Sequence, residues 1–216
     1  MSGNALPGAE LVVRTIAETA VANERYFGDL DAVVGDGDLG YSLARGFEKL
    51  IEGWDEIDRS DAGTFLKRSG MIIASRVGGT SGPLWGTAFL RAGATAGAAA
   101  DLTGEQVVKM LRAAIDGIKA RGRSDVGDKT LLDALVPMTD CLEKQFAAGA
   151  GGEEALRTAA AVTREAAEAT LGMVAKRGRA AYTGDRSRDS VDAGAVAVAV
   201  MVERISETWQ TRGATS

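Results

Sequence analysis

Apolar residues recur every three to four positions along most of the chain, as in Leu43, Phe47, Leu50 and Ile51, and again in Val107, Leu111, Ile115 and Ile118. That spacing puts one apolar stripe on each helix and predicts core-facing helices over approximately 8–26, 40–52, 63–75, 85–98, 104–120, 129–147, 153–177 and 191–210. The fifth has the clearest start, because Thr103 followed three residues on by Gln106 is a capping box in which each side chain satisfies a free amide. Val196, Val198 and Val200 alternate with alanine and read equally as a buried strand, but alanine richness and segment length favour helix. The pattern predicts an all-α domain of eight amphipathic helices joined by glycine-rich breaks.

Composition narrows the chemistry. A chain of 216 residues buries one sizeable core, so a single domain over 1–216 is expected. Apolar residues make up 45% of it but aromatics only 5%, which favours small side chains and closely approaching helices. The net charge of −5, with both signs interspersed, leaves no footprint for nucleic acid. There is no histidine, which excludes Ser-His-Asp catalysis and imidazole-bound zinc. The single cysteine, Cys141, permits no internal disulfide and lies in an apolar helical stretch, where it reads as core. No signal-peptide pattern and no membrane-length apolar run is seen, so a cytoplasmic protein without membrane association is expected. Carboxylates, amines, hydroxyls, backbone amides and metal ions are left to do chemistry.

They gather in the glycine-rich breaks. Asp31, Asp36 and Asp38 fall within eight positions, in Leu30-Asp-Ala-Val-Val-Gly-Asp-Gly-Asp-Leu-Gly40. Three converging carboxylates repel unless a cation joins them, and oxygen-only ligands suit magnesium, manganese or calcium. An EF-hand is excluded because Ser42 or Phe47 stands where its twelfth-position glutamate belongs, and magnesium with phosphate oxygens fits better. The competing reading is an Asp-Gly turn with solvated carboxylates. Gly78-Gly-Thr-Ser-Gly-Pro-Leu-Trp-Gly86 offers backbone amides and the hydroxyls of Thr80 and Ser81 to an anion, or is a packing turn; it lacks the Walker A lysine. Trp85 reads as a helix-packing residue. In Gly122-Arg-Ser-Asp-Val-Gly-Asp-Lys-Thr130, Lys129 reads as neutralising the start of its own helix region beside Asp128. In Lys176-Arg-Gly-Arg-Ala-Ala-Tyr-Thr-Gly-Asp-Arg186, Arg179 suits bidentate pairing with a phosphate, while Arg177, Arg186 and Arg188 read as solvated charges. Asp192 and Gly194 hold either a cap with close ligand approach or a cap alone.

These loops, in this order and spacing, resemble the L subunit of dihydroxyacetone kinase over nearly the whole chain. The residues that carry the resemblance are Asp31 with Gly35-Asp-Gly-Asp38, Gly79-Thr-Ser-Gly-Pro83, Gly127-Asp-Lys-Thr-Leu-Leu-Asp133, Gly178-Arg-Ala-Ala-Tyr182 and Asp192-Ala-Gly-Ala195. The resemblance implies an antiparallel barrel of eight helices whose loops at one end bind ADP or ATP through two magnesium ions. By position it implies Asp31, Asp36 and Asp38 as magnesium ligands, acting in catalysis through the metal, with Arg179 as the catalytic arginine. It implies Leu39, Gly40, Tyr41, Ser42, Thr80, Ser81, Gly122, Leu131, Arg179, Asp192, Ala193 and Gly194 as nucleotide contacts. In this family a separate K subunit holds the ketose through a histidine, so a histidine-free chain implies one half of a kinase. A phosphotransferase-system phosphocarrier is the alternative donor to free ATP, and a homodimer is compatible with the family.

Several positions depart from the family pattern. Leu39 stands in place of histidine, Ala193 in place of proline, Ala181 in place of serine, and Arg188-Asp-Ser190 in place of a Gly-His pair. The expected metal ligands survive all of these, so phosphoryl transfer is expected, with a related ketose such as erythrulose as a credible acceptor. The alternative is a non-catalytic nucleotide-sensing or regulatory module.

Overall fold

A computed structural model describes residues 5–214, and among the described residues every regular element is helical. The α-helices are α1 (Ala5–Ala22), α2 (Glu24–Asp31), α3 (Leu39–Glu52), α4 (Ala62–Arg76), α5 (Ser81–Ala96), α6 (Gly104–Gly122), α7 (Leu132–Ala147), α8 (Gly152–Glu168) and α9 (Ala193–Ala214). Short 3₁₀ segments lie at Trp54–Glu56 and Arg179–Asp189, the latter kinked at Gly184. The all-α expectation holds, but the count of eight does not. The first expected helix breaks at Asn23, a poor helix former whose side chain competes with the backbone, giving two helices where the apolar pattern shows one.

Two other boundaries differ for local reasons. The expected helix over 153–177 stops at Glu168, where Thr170 turns its hydroxyl back onto the Ala167 carbonyl (2.6 Å) and Gly172 takes a φ of +85°. The helix expected from 129 starts at Leu132, because residues 125–130 form a tight turn that includes Lys129 at a φ of +61°. The capping box at Thr103 forms as expected, with Thr103 and Gln106 each satisfying the other's amide.

The chain sorts into two compact units. One comprises residues 1–21 and 42–123. Its core is built on Val13, Leu43, Phe47, Leu50, Phe65, Ile73 and Ile118, all essentially inaccessible. Phe47 meets Trp85 edge-on at 6.2 Å, so Trp85 is a packing residue as expected. In the same unit Arg59 stacks on Trp54 while its Nε pairs with Glu10 at 2.5 Å, securing the turn between α3 and α4.

The other unit comprises residues 22–41 and 124–216, with Phe27, Leu132, Ala155, Ala159 and Thr163 buried beside α9. The first turns of α9 are buried on nearly every face, from Ala195 through Ala199 and on to Met201 and Val202, whereas Arg204 and Glu207 further along are exposed. A helical stretch enclosed all round has no polar stripe to reveal its period, which is why its valines alternate like a strand. No described helix is long and apolar enough to cross a membrane.

Candidate functional site

The second unit carries the carboxylate cluster. α2 ends at Asp31, the chain turns through Asp36 and Asp38, and α3 begins at Leu39. The Gly35 amide donates to the Asp31 carbonyl at 2.6 Å, and Gly37 adopts a φ of +74°, which lets the two later aspartates face the first. One carboxylate oxygen from each of Asp31, Asp36 and Asp38 then lies within 4.8 Å of the others. Gly40 closes the turn from the far side, since a Cβ there would collide with the backbone of Glu24 and Gly28 in α2. The Leu39 amide points to Asp31 Oδ2 at 3.4 Å, so the first turn of α3 contributes its backbone to the cluster whatever the side chain.

Three acidic groups so close need positive charge. Arg179, from the 3₁₀ segment, pairs its Nη1 with Asp36 and lies 3.4 Å from Asp38. Asp36, Asp38 and Arg179 are exposed, so solvent screens the pairing and the cluster is open to an incoming ligand. The donor set is hard oxygen only, and its three carboxylates exceed the charge of one arginine. A hard divalent cation such as magnesium is the kind of ion this donor set could hold.

Beside it, Asp192 caps α9, its Oδ1 accepting the Ala195 amide at 2.7 Å, while its own amide donates to Thr170 Oγ1 at 2.8 Å. As a residue Asp192 is half-buried, but its carboxylate is enclosed, and this desolvation pushes its pKa from 3.8 to about 7, with Asp133 and Asp31 pushing the same way. The Ala195 amide and Lys129 oppose the rise. The spot where a Gly194 side chain would begin faces Asp192 Oδ1 and Leu131. The structure thus brings together Asp31, Asp36, Asp38 and Arg179, and brings Leu131, Asp192 and Gly194 into a second group that the first influences electrostatically.

Other expected residues lie as follows. Gly40 and Ala193 are buried, and Tyr41 is exposed. Ser42, Thr80, Ser81 and Gly122 belong to the first unit. There Ser42 is buried with its hydroxyl facing Gly78, Thr80 and Ser81 start α5, and Gly122 ends α6.

Lys129 departs from its sequence reading. It does not neutralise the start of its own helix: its ammonium is buried and donates to the carbonyls of Met173 (3.2 Å), Ser187 and Ser190 (2.6 Å). A lysine's three partners lying 44 to 61 residues away leave no local signal. Asp133, buried, accepts the Gly127 amide at 2.5 Å and the Thr130 amide at 2.7 Å, organising the turn before α7. Of the arginines read as solvated, Arg177 pairs with Asp128 at 3.3 Å, and Arg188 reaches the Gly172 carbonyl at 3.0 Å. Cys141 is buried, and desolvation raises its pKa, as suits a core thiol.

Known proteins resemble this chain over most of its length. The DAK2 domain family matches residues 33–207. The PEP-dependent dihydroxyacetone kinase ADP-binding subunit DhaL of Escherichia coli is 39% identical over 181 residues, covering 84% of this chain and 86% of that one. The L-erythrulose 1-kinase of Mycolicibacterium smegmatis is also 39% identical, over 201 residues covering 91% of this chain but 34% of the relative. Among solved structures, the dihydroxyacetone kinase of C. freundii in complex with AMP-PNP and Mg2+ superposes with a TM-score of 0.71 at 25% identity, over 93% of this chain and 33% of that one. The chain therefore spans about a third of the erythrulose kinase and of the C. freundii kinase, and nearly the full length of the separate subunit. The chain belongs to the DAK2 domain family, and within it to the kinase subunits of the DhaL type.

Proposed function

We propose that this chain is the nucleotide-binding, phosphoryl-transferring subunit of a short-ketose kinase. The observation that carries the proposal is the convergence of Asp31, Asp36 and Asp38 with Arg179 beside them. Asp31, Asp36 and Asp38 would hold magnesium, two ions by analogy with the family, which neutralises phosphate charge and orients the terminal phosphoryl group for in-line attack. Arg179 is set to pair with a phosphate oxygen once its carboxylate partners are engaged elsewhere. The Leu39 amide, which reaches Asp31, and the group of Leu131, Asp192 and Gly194 are assigned to the nucleotide. In the first unit, Thr80 and Ser81 bring two hydroxyls to the start of α5, chemistry that suits an anion.

The acceptor is assigned to a partner. A chain without histidine cannot form the covalent histidine–ketose bond used in this family, so a K-type subunit is proposed to supply the bound ketose. Relatives named for dihydroxyacetone and for erythrulose match at the same 39% identity, and the substitution at Leu39 favours testing both ketoses. The donor is either free ATP or ADP rephosphorylated in place by a phosphotransferase-system carrier.

The test is to mix the purified chain with a K-type subunit, each ketose and Mg-ATP. Turnover beyond one equivalent supports the kinase with ATP as donor. A single turnover supports the carrier-dependent kinase. Mg-ADP binding with no transfer to either ketose under any donor refutes the kinase reading and leaves a nucleotide-sensing module.

A further inference from the structure

Arg179 sits in a segment with little to hold it. From Leu171 to Val191 only Ala175, Ser187 and Ser190 are buried, while Arg177, Arg179, Tyr182, Arg186 and Arg188 are exposed. Apolar packing therefore contributes little to its conformation, and polar contacts must set it.

The neighbouring residues Asp128 and Lys129 supply those contacts. The Lys129 ammonium donates to one carbonyl before Arg179, that of Met173, and to two after it, those of Ser187 and Ser190. Each of the three ammonium protons thus has an acceptor on the segment, the full capacity of a lysine. Asp128 grips the rising stem: its carbonyl accepts the Lys176 amide at 3.0 Å, and its carboxylate faces Lys176 Nζ at 3.5 Å and Arg177 Nε at 3.3 Å. Ser187 ties the stems to each other, accepting the Ala175 amide at 2.9 Å and donating to Gly184 at 2.6 Å.

The backbone at this point is also strained. Lys129 holds a φ of +61°, a region that L-residues enter at a cost and glycine enters freely. Glycine at 129 would relieve the strain and lose the ammonium. Burying a lysine adds a desolvation cost, seen in the lowering of its pKa, which Asp192 and Asp189 oppose.

We infer that Lys129, with Asp128, is the positioning clamp that joins both stems of the 173–190 segment and so aims Arg179 at the Asp31–Asp36–Asp38 cluster. The inference rests on the proposed function only where it concerns nucleotide, and its test separates the two. In ligand-free protein, Lys129→Met should raise the rate of tryptic cleavage at Arg177, Arg179, Arg186 and Arg188 roughly tenfold or more, from loss of three hydrogen bonds, with the helices left intact. Mg-ADP affinity is then measured for Lys129→Met, Arg179→Gln and the double variant. If the clamp acts through Arg179, Lys129→Met should weaken Mg-ADP binding roughly tenfold in the native background and less than about twofold once Arg179 is gone.

Unchanged cleavage in the segment overturns the clamp, and so do additive effects on affinity. If the native protein binds no Mg-ADP, the proposed function fails and the cleavage rates alone decide the clamp. If Lys129→Met does not fold, Asp128→Asn, which removes the charge that holds Lys176 and Arg177 and leaves the Lys129 ammonium its three carbonyls, is read in the same cleavage assay. Faster cleavage supports the clamp and an unchanged rate overturns it.

Discussion

Asp192 makes the sharpest energetic prediction. In the unfolded chain its carboxyl ionises near 3.8, whereas in the fold enclosure pushes this to about 7. Below the lower value both states are protonated, and the group costs folding nothing. As pH rises from there the unfolded state loses its proton while the fold retains it, so stability falls until pH passes the folded value and then levels off. The full difference corresponds to ~4 kcal/mol, and because the residue keeps some access to water, ~2–4 kcal/mol is expected. Asn matches the shape of the protonated carboxyl and can still cap Ala195, so Asp192→Asn should remove the cost. Urea denaturation of both proteins, with EDTA and without nucleotide, gives their stability difference at each pH. Asp58, Asp61 and Glu105, whose pKa values are lowered, lose their contributions at low pH in both proteins and cancel. The variant should gain on the native protein between pH 4 and 7 and keep the gain at pH 8. A flat difference over that range would refute the account of a desolvated Asp192.

Three further outcomes are expected. Asp36→Asn should keep the circular dichroism and melting behaviour of the fold yet lower phosphoryl transfer by more than the ~10–100-fold that loss of an outer-shell metal partner costs; near-native transfer by the folded variant would sink the metal assignment. Gly40→Ala should destabilise the ligand-free protein by ~2 kcal/mol or more in urea titrations, because the new methyl has backbone of Glu24 and Gly28 in its way. Leu39→His should leave Mg-ADP affinity within about twofold by calorimetry, since the residue meets the cluster through its amide and surface side-chain changes are usually small in effect. A large change would show that the side chain itself contacts the nucleotide.

What the sequence makes legible here follows the range of the forces involved. Helices with one apolar stripe, such as α3 and α6, are visible because burial on one face imposes a period, and the Thr103 box is visible because both partners lie within one turn. The break at Asn23 and the end of α8 at Glu168 are not, because the apolar pattern runs on past both. The aspartate cluster lies between the two cases. Its members are close enough in sequence to suggest a common purpose, but whether they converge depends on the α2–α3 junction, which only a glycine at 40 lets the two backbones make. Lys129 is the extreme case, since each of its contacts spans more than forty residues and its local neighbours suggest the opposite role. The same physics explains why Leu39 does not disturb the site's geometry. The start of α3 at Leu39 and Gly40 is held close to Glu24 and Gly28 by the backbone approach at Gly40, and the amide of residue 39 is carried with it, so the side chain there is free to vary without moving the carboxylates. Changes at that position are therefore expected to leave the spacing of the three carboxylates as it is, which is what the Leu39→His comparison reads.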